Sequence, residues 1–419
     1  MKLFFRTVIG CIIMTAILCC GCAGTGAGRA AQPQQRPKTE DSSKQQLSLA
    51  GHGAAGPWQS MDTAMGTVVQ QTIYAEDQEA AEDFSRQAFD LLSRLEREEI
   101  SWRLDTSEVY RANASAGSGE GFDLSEDLSV LLEACKELWE RSDGAFDTTL
   151  GAVTRLWNID SWAVEEDTND FVPPSEEELA QALSTCGSQG MRLVREELTE
   201  SGSPAESGPT GERGSAAESD SAAIASAPLR EENRQTGGCR LYLPEGMQLD
   251  LGAVGKGFAM EKLFGLLEDS SDVTAAVISL GGSILTYGSK PNEEPWRVGI
   301  VNPFDTSGSI GTLTLEGQWC VSTSGDYERY VEADGVRYHH ILNPKTGMPA
   351  AGDVRGVTIL MKDGLLSDGL STACYILGPE KGMELAGQYG AEALFVMADG
   401  RIEMSEGMEP YFTENQNRK

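Results

Sequence analysis

The stretch from Ser322 to Pro349 reads STSGDYERYVEADGVRYHHILNPKTGMP and decides how the rest of this 419-residue chain is interpreted. It contains two of the three histidines of the chain, His339 and His340, side by side. Histidine is the side chain that most readily exchanges a proton near neutral pH. The pair therefore indicates a catalytic site. The alternative is a strand that carries one buried and one exposed histidine.

A glycine-rich segment lies earlier in the chain, from Gln248 to Lys262, and reads QLDLGAVGKGFAMEK. An apolar run typical of a strand ends in three glycines, and a helical pattern follows. Glycines let backbone amides approach a ligand, and a helix N-terminus favours anions. Lys256 adds a charge that suits a phosphate. The spacing fits neither a Walker loop nor a dinucleotide fingerprint, so a plain tight turn remains the alternative.

A third signal is the segment from Leu365 to Gly378, LLSDGLSTACYILG, which predicts a helix that starts near Ser367. Asp368 and Thr372 are four residues apart and share a helical face. Magnesium prefers oxygen ligands of this kind and usually shares them with substrate phosphates. The alternative is that Ser367 or Asp368 caps the helix while Thr372 bonds to its own backbone.

Taken together, these segments resemble the FAD:protein FMN transferase (ApbE) family from about Ala64 to Met397. The motifs that carry the resemblance are, in order, Met65-Gly66-Thr67, ISWRLDTSEVYRAN, GAFDTTLGAVTRLW, LDLGAVGKG, SLGGSILTYG, STSGDYERY, YHHILNPKTG and SDGLSTA. The resemblance implies an ApbE-like α+β fold, related to the tunnelling fold, with either a single catalytic domain or two closely packed lobes.

The pattern of elements favours the same α+β class, because short strands, few long helices and several glycine turns alternate along the chain. The helical predictions are Glu79–Glu99, Glu126–Arg141 and Pro174–Leu183, the last capped by Ser175 with Glu178 three residues on. The strand predictions are Gly66–Tyr74, Thr274–Leu280, Trp296–Val301, Gly311–Leu315, Val336–Leu342, Gly356–Met361 and Ala393–Met397.

The resemblance implies a magnesium-dependent transfer of FMN from FAD to a Thr or Ser hydroxyl of a target flavoprotein domain, with release of AMP. FAD is then a substrate and Mg²⁺ the cofactor. Two alternatives remain open. If water attacks instead, the protein is a magnesium-dependent FAD pyrophosphatase that yields FMN and AMP. A flavin-binding lipoprotein that carries FAD is the third hypothesis.

Specific residues match the motifs of the family. Asp368 and Thr372 match its magnesium ligands, and a backbone carbonyl, that of Ala253, completes the protein's share. His340 matches the catalytic histidine, either as general base or as a group that stabilises the transferred phosphoryl.

Trp102 falls where the family has an aromatic residue against the isoalloxazine, although a plain core tryptophan is the alternative. The remaining candidates for cofactor binding are Met65, Gly66, Thr67, Asp250, Lys256, Gly281, Gly282, Thr323, Ser324 and Asp326. Asp147 and Thr149 are weaker candidates.

The first 22 residues resemble a bacterial lipoprotein signal. Lys2 and Arg6 precede a short apolar core, and Cys19-Cys20-Gly21-Cys22 follows. The core is too short for a stable spanning helix. Cys22 is the predicted lipidation site, with Cys20 or an uncleaved anchor as alternatives. Each of these predicts a body outside the cytoplasmic membrane and anchored to it.

Composition divides the rest of the chain. Residues 23–57 are rich in Gly, Gln, Ser, Pro and Lys and predict a flexible tether. Residues 58–419 form the predicted catalytic domain. Within it, residues from about 196 to 237 are dominated by Ser, Gly, Glu, Ala and Pro, which predicts a disordered insertion in a surface loop.

Net charge and cysteine content exclude two further classes. The formal net charge is −32, which argues against nucleic-acid binding, since that function requires a basic face. The spacing of the cysteines beyond the signal suits neither zinc nor a disulfide framework. These cysteines are Cys135, Cys186, Cys239, Cys320 and Cys374. Most of the five are predicted to be buried thiols, and the alternative is one disulfide for which the sequence indicates no pair.

Overall fold

The computed structural model describes residues 57–165, 167–196 and 238–415. The predicted signal, its lipidation site at Cys22 and nearly all of the tether lie outside these ranges. So does the predicted insertion, apart from Glu196.

The helices are α1 (Gln78–Arg94), α2 (Glu108–Ala114), α3 (Glu126–Arg141), α4 (Gly151–Trp157), α5 (Ile159–Trp162), α6 (Glu176–Leu183), α7 (Gly255–Asp269), α8 (Gly364–Leu377) and α9 (Pro379–Gln388). The strands are β1 (Trp58–Ala64), β2 (Thr67–Ala75), β3 (Phe122–Leu124), β4 (Arg192–Arg195), β5 (Cys239–Tyr242), β6 (Val273–Leu280), β7 (Ser283–Gly288), β8 (Trp296–Asn302), β9 (Asp305–Leu315), β10 (Trp319–Gly325), β11 (Tyr330–Ala333), β12 (Val336–His339), β13 (Val354–Met361), β14 (Glu392–Met397), β15 (Ile402–Met404) and β16 (Phe412–Glu414).

An eight-stranded antiparallel sheet in the order β1-β2-β6-β7-β10-β13-β14-β15 organises the chain. One face is covered by α1, α7, α8 and α9, whose apolar side chains form the largest buried cluster with the sheet. A three-stranded sheet, β16-β9-β8, covers part of the other face through a second cluster. A mixed layered arrangement of this kind is an α+β fold, and it confirms the predicted fold class.

Helix α8 begins earlier than predicted, at Gly364 instead of near Ser367. Its N-cap is Asp363, whose carboxylate accepts a hydrogen bond of 2.8 Å from the amide of Leu366. Ser367 and Asp368 therefore lie one turn inside the helix, where both are buried. Neither of them caps the helix, and the alternative explanation for these residues is wrong.

Two other elements end differently from the sequence prediction. The predicted helix to Glu99 is α-helical only to Arg94 and continues as a π-helix over Leu95–Ile100. Single π-turns occur frequently at functional sites, and this one leads directly to Trp102. The predicted strand Val336–Leu342 ends at His339, so His340 lies in the bend that follows it.

The predicted α3 and α6 agree with the structure. The capping box of Ser175 and Glu178 at α6 is present with both of its hydrogen bonds. A third buried cluster packs α4 and α6 against the hairpin β11–β12. Within it Trp157 is 1% exposed, and its indole Nε1 donates to the carbonyl oxygen of Gly347 at 2.6 Å.

The five cysteines of the described ranges are free thiols, and all except the half-buried Cys186 are buried. This agrees with the prediction for most of them. Burial raises the pKa of Cys135, Cys186 and Cys374, so these thiols are protonated at neutral pH. Among the helices of the described ranges, none combines the length and apolar character that a bilayer crossing requires.

The ends of the predicted insertion are joined by a hairpin. Strands β4 and β5 pair antiparallel up to Arg195 and Cys239, and the amide of Glu196 donates to the carbonyl of Gly238 at 2.9 Å. The segment 197–237 thus leaves and re-enters the fold at adjacent backbone positions.

We predict that replacing residues 197–237 by an Asn-Gly turn keeps or raises the melting temperature. Asn-Gly suits a two-residue hairpin, and loop-closure entropy grows by only about 0.6 kcal/mol for each doubling of loop length. Thermal unfolding of the shortened and intact chains measures this. A clear fall in melting temperature with loss of far-UV signal would show that the segment contributes to the fold.

Candidate active site

The carboxylate of Asp368 lies at the junction of three elements. It is 3% exposed on α8. Its Oδ2 accepts from the amide of Gly257 on α7 at 2.9 Å, and its Oδ1 accepts from the Ser283 hydroxyl on β7 at 3.1 Å. The Lys256 ammonium lies 3.7 Å from Oδ1. The sequence-predicted residues of the glycine-rich segment and of α8 therefore meet at one carboxylate.

The first turn of α7 leaves the predicted carbonyl ligand available. In a regular helix the Gly257 amide would bond to the carbonyl of Ala253, four residues before it. Here that amide bonds to Asp368 instead. No backbone amide of the described residues donates to the Ala253 oxygen. A half-buried Ala253 thus keeps a free acceptor beside Asp368.

Thr372 lies one turn beyond Asp368 on α8 and is half-buried. Its Oγ1 is 3.3 Å from the hydroxyl of Ser324 on β10, which also pairs with Ser371 at 2.7 Å. The hydroxyl of Thr372 therefore meets a neighbouring side chain, contrary to the alternative in which it bonds only to its own backbone. Ser324, a predicted cofactor-binding residue, is brought to the same face of α8.

These oxygens fit a hard divalent cation. Within the described residues no group of three or more His, Cys, Asp or Glu side chains could hold a metal ion. The candidate set combines one carboxylate, one hydroxyl and one backbone carbonyl. Magnesium binds through few protein oxygens and takes the remainder of its octahedron from water and substrate phosphates, so this donor set suits it.

Two hairpin turns meet beside this centre. Met65 and Gly66 connect β1 to β2 with φ of 52° and 68°, and Gly281 begins the β6–β7 turn with φ of 62°. A non-glycine residue in the left-handed region is uncommon and is concentrated at functional sites. A Cβ on Gly281 would lie 2.6 Å from Thr67 Oγ1, so only glycine lets the two turns pack this closely.

The turns also reach the start of α7 and the strand β10. A Cβ on Gly255 would lie 3.9 Å from the Met65 Cε atom. The carbonyl of Gly282 accepts from the amide of Thr323 at 2.9 Å. A Cβ on Gly282 would lie 2.7 Å from Glu328 Oε1, so only glycine lets the Glu328 side chain pack this closely against the turn.

Trp102 is half-buried in the loop after the π-helix. Its ring packs against the main apolar cluster and also contacts two guanidinium groups. The Cζ atom of Arg103 is 4.1 Å from the ring centroid and that of Arg155 is 4.8 Å from it. Both guanidiniums therefore bring positive charge to the faces of the Trp102 ring.

His340 is half-buried and lines a small cavity together with Arg103 and Asp160. Its backbone amide and its Nδ1 both lie near the carbonyl oxygen of Arg329, at 3.1 and 3.2 Å. Since a carbonyl only accepts, Nδ1 carries the proton and Nε2 keeps its lone pair. Desolvation, helped by the Arg329 charge, holds the pKa of His340 well below its ordinary value. The ring is therefore neutral at physiological pH.

Lys256 and Glu328 connect the two halves of the site electrostatically. Lys256 contacts Asp368 and its charge also lowers the pKa of His340. Glu328 is exposed in the cleft, and desolvation by the surrounding protein raises its pKa while Lys256 and Arg329 oppose that rise. The sequence prediction did not include Glu328, although it lies inside the segment Ser322–Pro349.

Four predicted residues form hydrogen bonds or ion pairs within the protein. Asp326 is 1% exposed and paired with Arg355 at 2.6 Å, so it lies beneath the cleft and does not line it. The hydroxyl of Thr323 bonds to Thr358 at 2.9 Å, on the sheet face opposite α8. The assignment of Asp326 and Thr323 to cofactor binding stays a prediction.

Asp250 and Asp147 are engaged by the backbone. Asp250 Oδ1 accepts from the amide of Gly252 at 2.9 Å and so orders the glycine-rich turn. Asp147 accepts from Thr149 and from Ser188, through both its amide and its hydroxyl. Both oxygens of Asp147 therefore accept hydrogen bonds from neighbouring segments of the chain, which agrees with its place among the weaker candidates.

Several known proteins are similar to this chain in sequence. The sequence profile described as "ApbE family" matches residues 65–395. A protein of Treponema pallidum (strain Nichols) named FAD:protein FMN transferase is 32% identical over 374 residues, which cover 86% of this chain and 90% of that protein. One of the same name from Klebsiella pneumoniae (strain 342) is 28% identical over 344 residues, covering 81% and 89%.

Solved structures agree. The ApbE protein of Thermotoga maritima superposes with a TM-score of 0.66 at 26% identity, covering 85% of this chain and all of that one. The apo flavinyl transferase ApbE of Pseudomonas stutzeri gives a TM-score of 0.63 at 26% identity, covering 85% and 96%. These results confirm the predicted ApbE-like fold. The chain belongs to the ApbE family.

Proposed function

We propose that this protein is an FAD:protein FMN transferase that moves FMN from FAD to a Thr or Ser hydroxyl of a target flavoprotein, with release of AMP. Family membership supports flavinyl transfer in general, since the relatives named above carry that activity in their names. The observation that carries the specific proposal is the oxygen-rich centre at Asp368, 3.7 Å from Lys256, whose positive charge also acts on the neutral His340.

The metal side of the proposal assigns three ligands. Asp368, Thr372 and the carbonyl of Ala253 would hold Mg²⁺, which when bound would neutralise charge on the pyrophosphate. Gly257 and Ser283 orient the Asp368 carboxylate through hydrogen bonds, so that it is preorganised. Lys256 supplies a second positive charge suited to a phosphate oxygen.

The base side of the proposal assigns His340. Its Nε2 takes the proton of the acceptor hydroxyl as the oxygen attacks the phosphorus of the FMN half. The new P–O bond forms as the bond to the bridging oxygen breaks, and AMP leaves with that oxygen. The Arg329 carbonyl fixes the tautomer that this step requires.

The flavin side of the proposal assigns Trp102 to the isoalloxazine and the turns at Met65-Gly66-Thr67 and Gly281-Gly282 to the wall of the site. Stacking on an aromatic ring contributes about 1 kcal/mol beyond area burial. Gly66 supports an approach of the ligand to backbone, because no atom lies within 4 Å of the position that its Cβ would take.

We further propose that the protein acts outside the cytoplasmic membrane as a lipoprotein anchored through Cys22. The sequence of the first 22 residues supports this. A tether over residues 23–57 would let the catalytic domain reach a membrane-associated acceptor. The partners are then FAD, a flavoprotein domain with an acceptor Thr or Ser, and the membrane through the lipid.

The test of the proposed function is a paired incubation of residues 23–419 with FAD and Mg²⁺, with and without an acceptor flavoprotein domain. In-gel flavin fluorescence reports covalent transfer, and chromatography reports free FMN and AMP. Fluorescent acceptor with one AMP released for each flavin attached supports the transferase. Free FMN and AMP regardless of acceptor would overturn it in favour of the pyrophosphatase. FAD that stays intact and bound, with several acceptor domains tested, would favour the carrier.

We predict that Asp368→Asn weakens Mg²⁺ binding at least about 100-fold. Even the loss of a residue that hydrogen-bonds a metal ligand lowers metal affinity 10- to 100-fold. The measurement is the Mg²⁺ concentration at half-maximal AMP release. Asp363→Asn on the same helix is the matched control, since Asn caps a helix as well as Asp does and the charge change is the same. Equal Mg²⁺ dependence in both variants would contradict the assignment.

We predict that the rate of transfer is level from about pH 8 down to pH 6.5 and falls only below that range. The pKa of His340 is lowered, so the folded protein keeps the neutral base there and loses it only at more acidic pH. The unfolded chain binds the proton first as pH falls through about 6.5, so the free energy of unfolding also decreases on the acid side.

His340→Gln should lower the rate by about 10²- to 10⁴-fold and abolish the fall in rate at acidic pH, the acid limb of the profile. His339→Gln is the control, because the pKa of His339 is also lowered by burial. His339 donates through Nε2 to the carbonyl of Ala350 and does not line the cavity. An acid limb that disappears in His339→Gln and persists in His340→Gln would exchange the two roles.

A further inference from the structure

A single carboxylate joins two arginines across the mouth of the site. Asp160 lies on the short helix α5. Its Oδ2 accepts from Nη2 of Arg103 at 2.7 Å, and its Oδ1 accepts from Nη1 of Arg329 at 2.7 Å. Partial burial disfavours its charge, but the two guanidiniums outweigh that effect and hold the pKa of Asp160 below its usual range. The bridge is therefore charged at neutral pH.

Each arginine belongs to one half of the site. Arg103 follows Trp102 and its guanidinium lies over the Trp102 ring, 4.1 Å from the centroid. The carbonyl of Arg329 accepts from Nδ1 of His340 and from its amide. Arg103, Asp160 and His340 line the same cavity. Asp160 thus connects the loop that carries the aromatic ring to the residue that orients the histidine.

A backbone turn and a side-chain hydrogen bond next to Asp160 fix its position. Asn158, with φ of 47°, turns the chain between α4 and α5. Immediately before it, the Trp157 indole donates to the carbonyl of Gly347 in the turn that follows His340. The helix pair α4–α5 therefore contacts the His340 segment on both sides, at Gly347 through Trp157 and at Arg329 through Asp160.

Stability alone does not account for the bridge. The side chains of Arg103, Asp160 and Arg329 are 51%, 30% and 42% exposed. Ion pairs this exposed contribute little to the free energy of unfolding. Without the Asp160 charge, two guanidiniums would face each other and repel. The bridge therefore determines where Arg103 and Arg329 lie more than whether the chain folds.

We propose that Asp160 is a positioning residue that couples the placement of Trp102 to the orientation of His340. The proposal rests on the proposed function, because it assigns these two residues to the flavin and to the proton transfer. Asp160 is assigned no contact with the reacting atoms, because both of its carboxylate oxygens accept hydrogen bonds from Arg103 and Arg329. It acts by keeping Arg103 against the indole and by keeping the backbone of Arg329 in line with the His340 Nδ1–H.

The test compares Asp160→Asn with Asp160→Glu and with Asp127→Asn. Asp127 forms a similarly exposed pair with Lys262, at 2.6 Å on α3 and α7, and its loss changes the net charge equally. Thermal unfolding, FAD binding by quenching of tryptophan fluorescence, and kcat and KM for acceptor flavinylation are measured for each. Histidine-selective ¹⁵N NMR reports the tautomer, and only three histidines need assignment.

We expect Asp160→Asn to melt close to wild type, to bind FAD at least fivefold more weakly, and to lower kcat at least tenfold. The Nδ1–H tautomer of His340 should give way to a mixture. Asp160→Glu should recover part of each effect, and Asp127→Asn should match wild type throughout. An Asp160→Asn protein with wild-type FAD affinity, kcat and tautomer would overturn the proposal, as would equal effects in Asp127→Asn.

Failure of the proposed function gives a different result. If wild-type protein attaches no flavin to any acceptor, the transferase assignment fails. FAD binding and the tautomer of His340 still decide the role of Asp160, because neither measurement depends on turnover. If Asp160→Asn does not fold, the Asp160→Glu variant carries the test, since it keeps the charge and shifts the carboxylate by one methylene.

Discussion

The hydrogen bonds to the Asp368 carboxylate are the interaction on which the site depends. A buried carboxylate is costly unless polar groups satisfy it. Here the Gly257 amide and the Ser283 hydroxyl do so, with Lys256 nearby. These groups come from α7 and β7, and the carboxylate itself comes from α8. The carboxylate is satisfied only when all three elements are in place, so folding and assembly of the site are the same event.

The contact between α7 and α8 also requires glycine. A Cβ on Gly257 would lie 2.7 Å from the Cβ of Asp368 and would collide with the carbonyl of Gly364. A Cβ on Gly364 would in turn lie 2.9 Å from the Met260 Cβ. The two helices therefore meet through backbone, which brings the free carbonyl of Ala253 beside the carboxylate. The glycine-rich turn before α7 and the Asp-x-x-x-Thr sequence of α8 therefore depend on the same helix contact.

Charge is distributed unevenly in this molecule. The chain as a whole carries −32, yet the cleft collects Lys256, Arg103, Arg155 and Arg329. A dinucleotide with a pyrophosphate is an anion. A local positive potential attracts it, whereas the net negative charge of the chain repels it. Asp160 neutralises part of this cluster and fixes its shape.

Short-range patterns predicted the local pieces of the site well. Asp368 and Thr372 share a helical face and the Ser175–Glu178 capping box forms, because each depends on neighbours in sequence. Gly66 was predicted to begin a strand but lies in the turn before β2. The partners of Asp326 and Thr323 were not predicted, since strand alternation and the Arg355 pair decide which way these side chains face. Asp160 could not be found, because its partners are 57 and 169 residues away.

The central claim is that Asp368, Thr372 and Ala253 hold a cation that contacts the pyrophosphate of FAD. Electron–nuclear double resonance with Mn²⁺ in place of Mg²⁺ tests this most directly, using the His340→Gln protein to slow turnover. The account predicts a strong ³¹P coupling when FAD is bound and its loss when Asp368→Asn is added. Tight Mn²⁺ binding with no ³¹P coupling, or coupling that persists in Asp368→Asn, would contradict it.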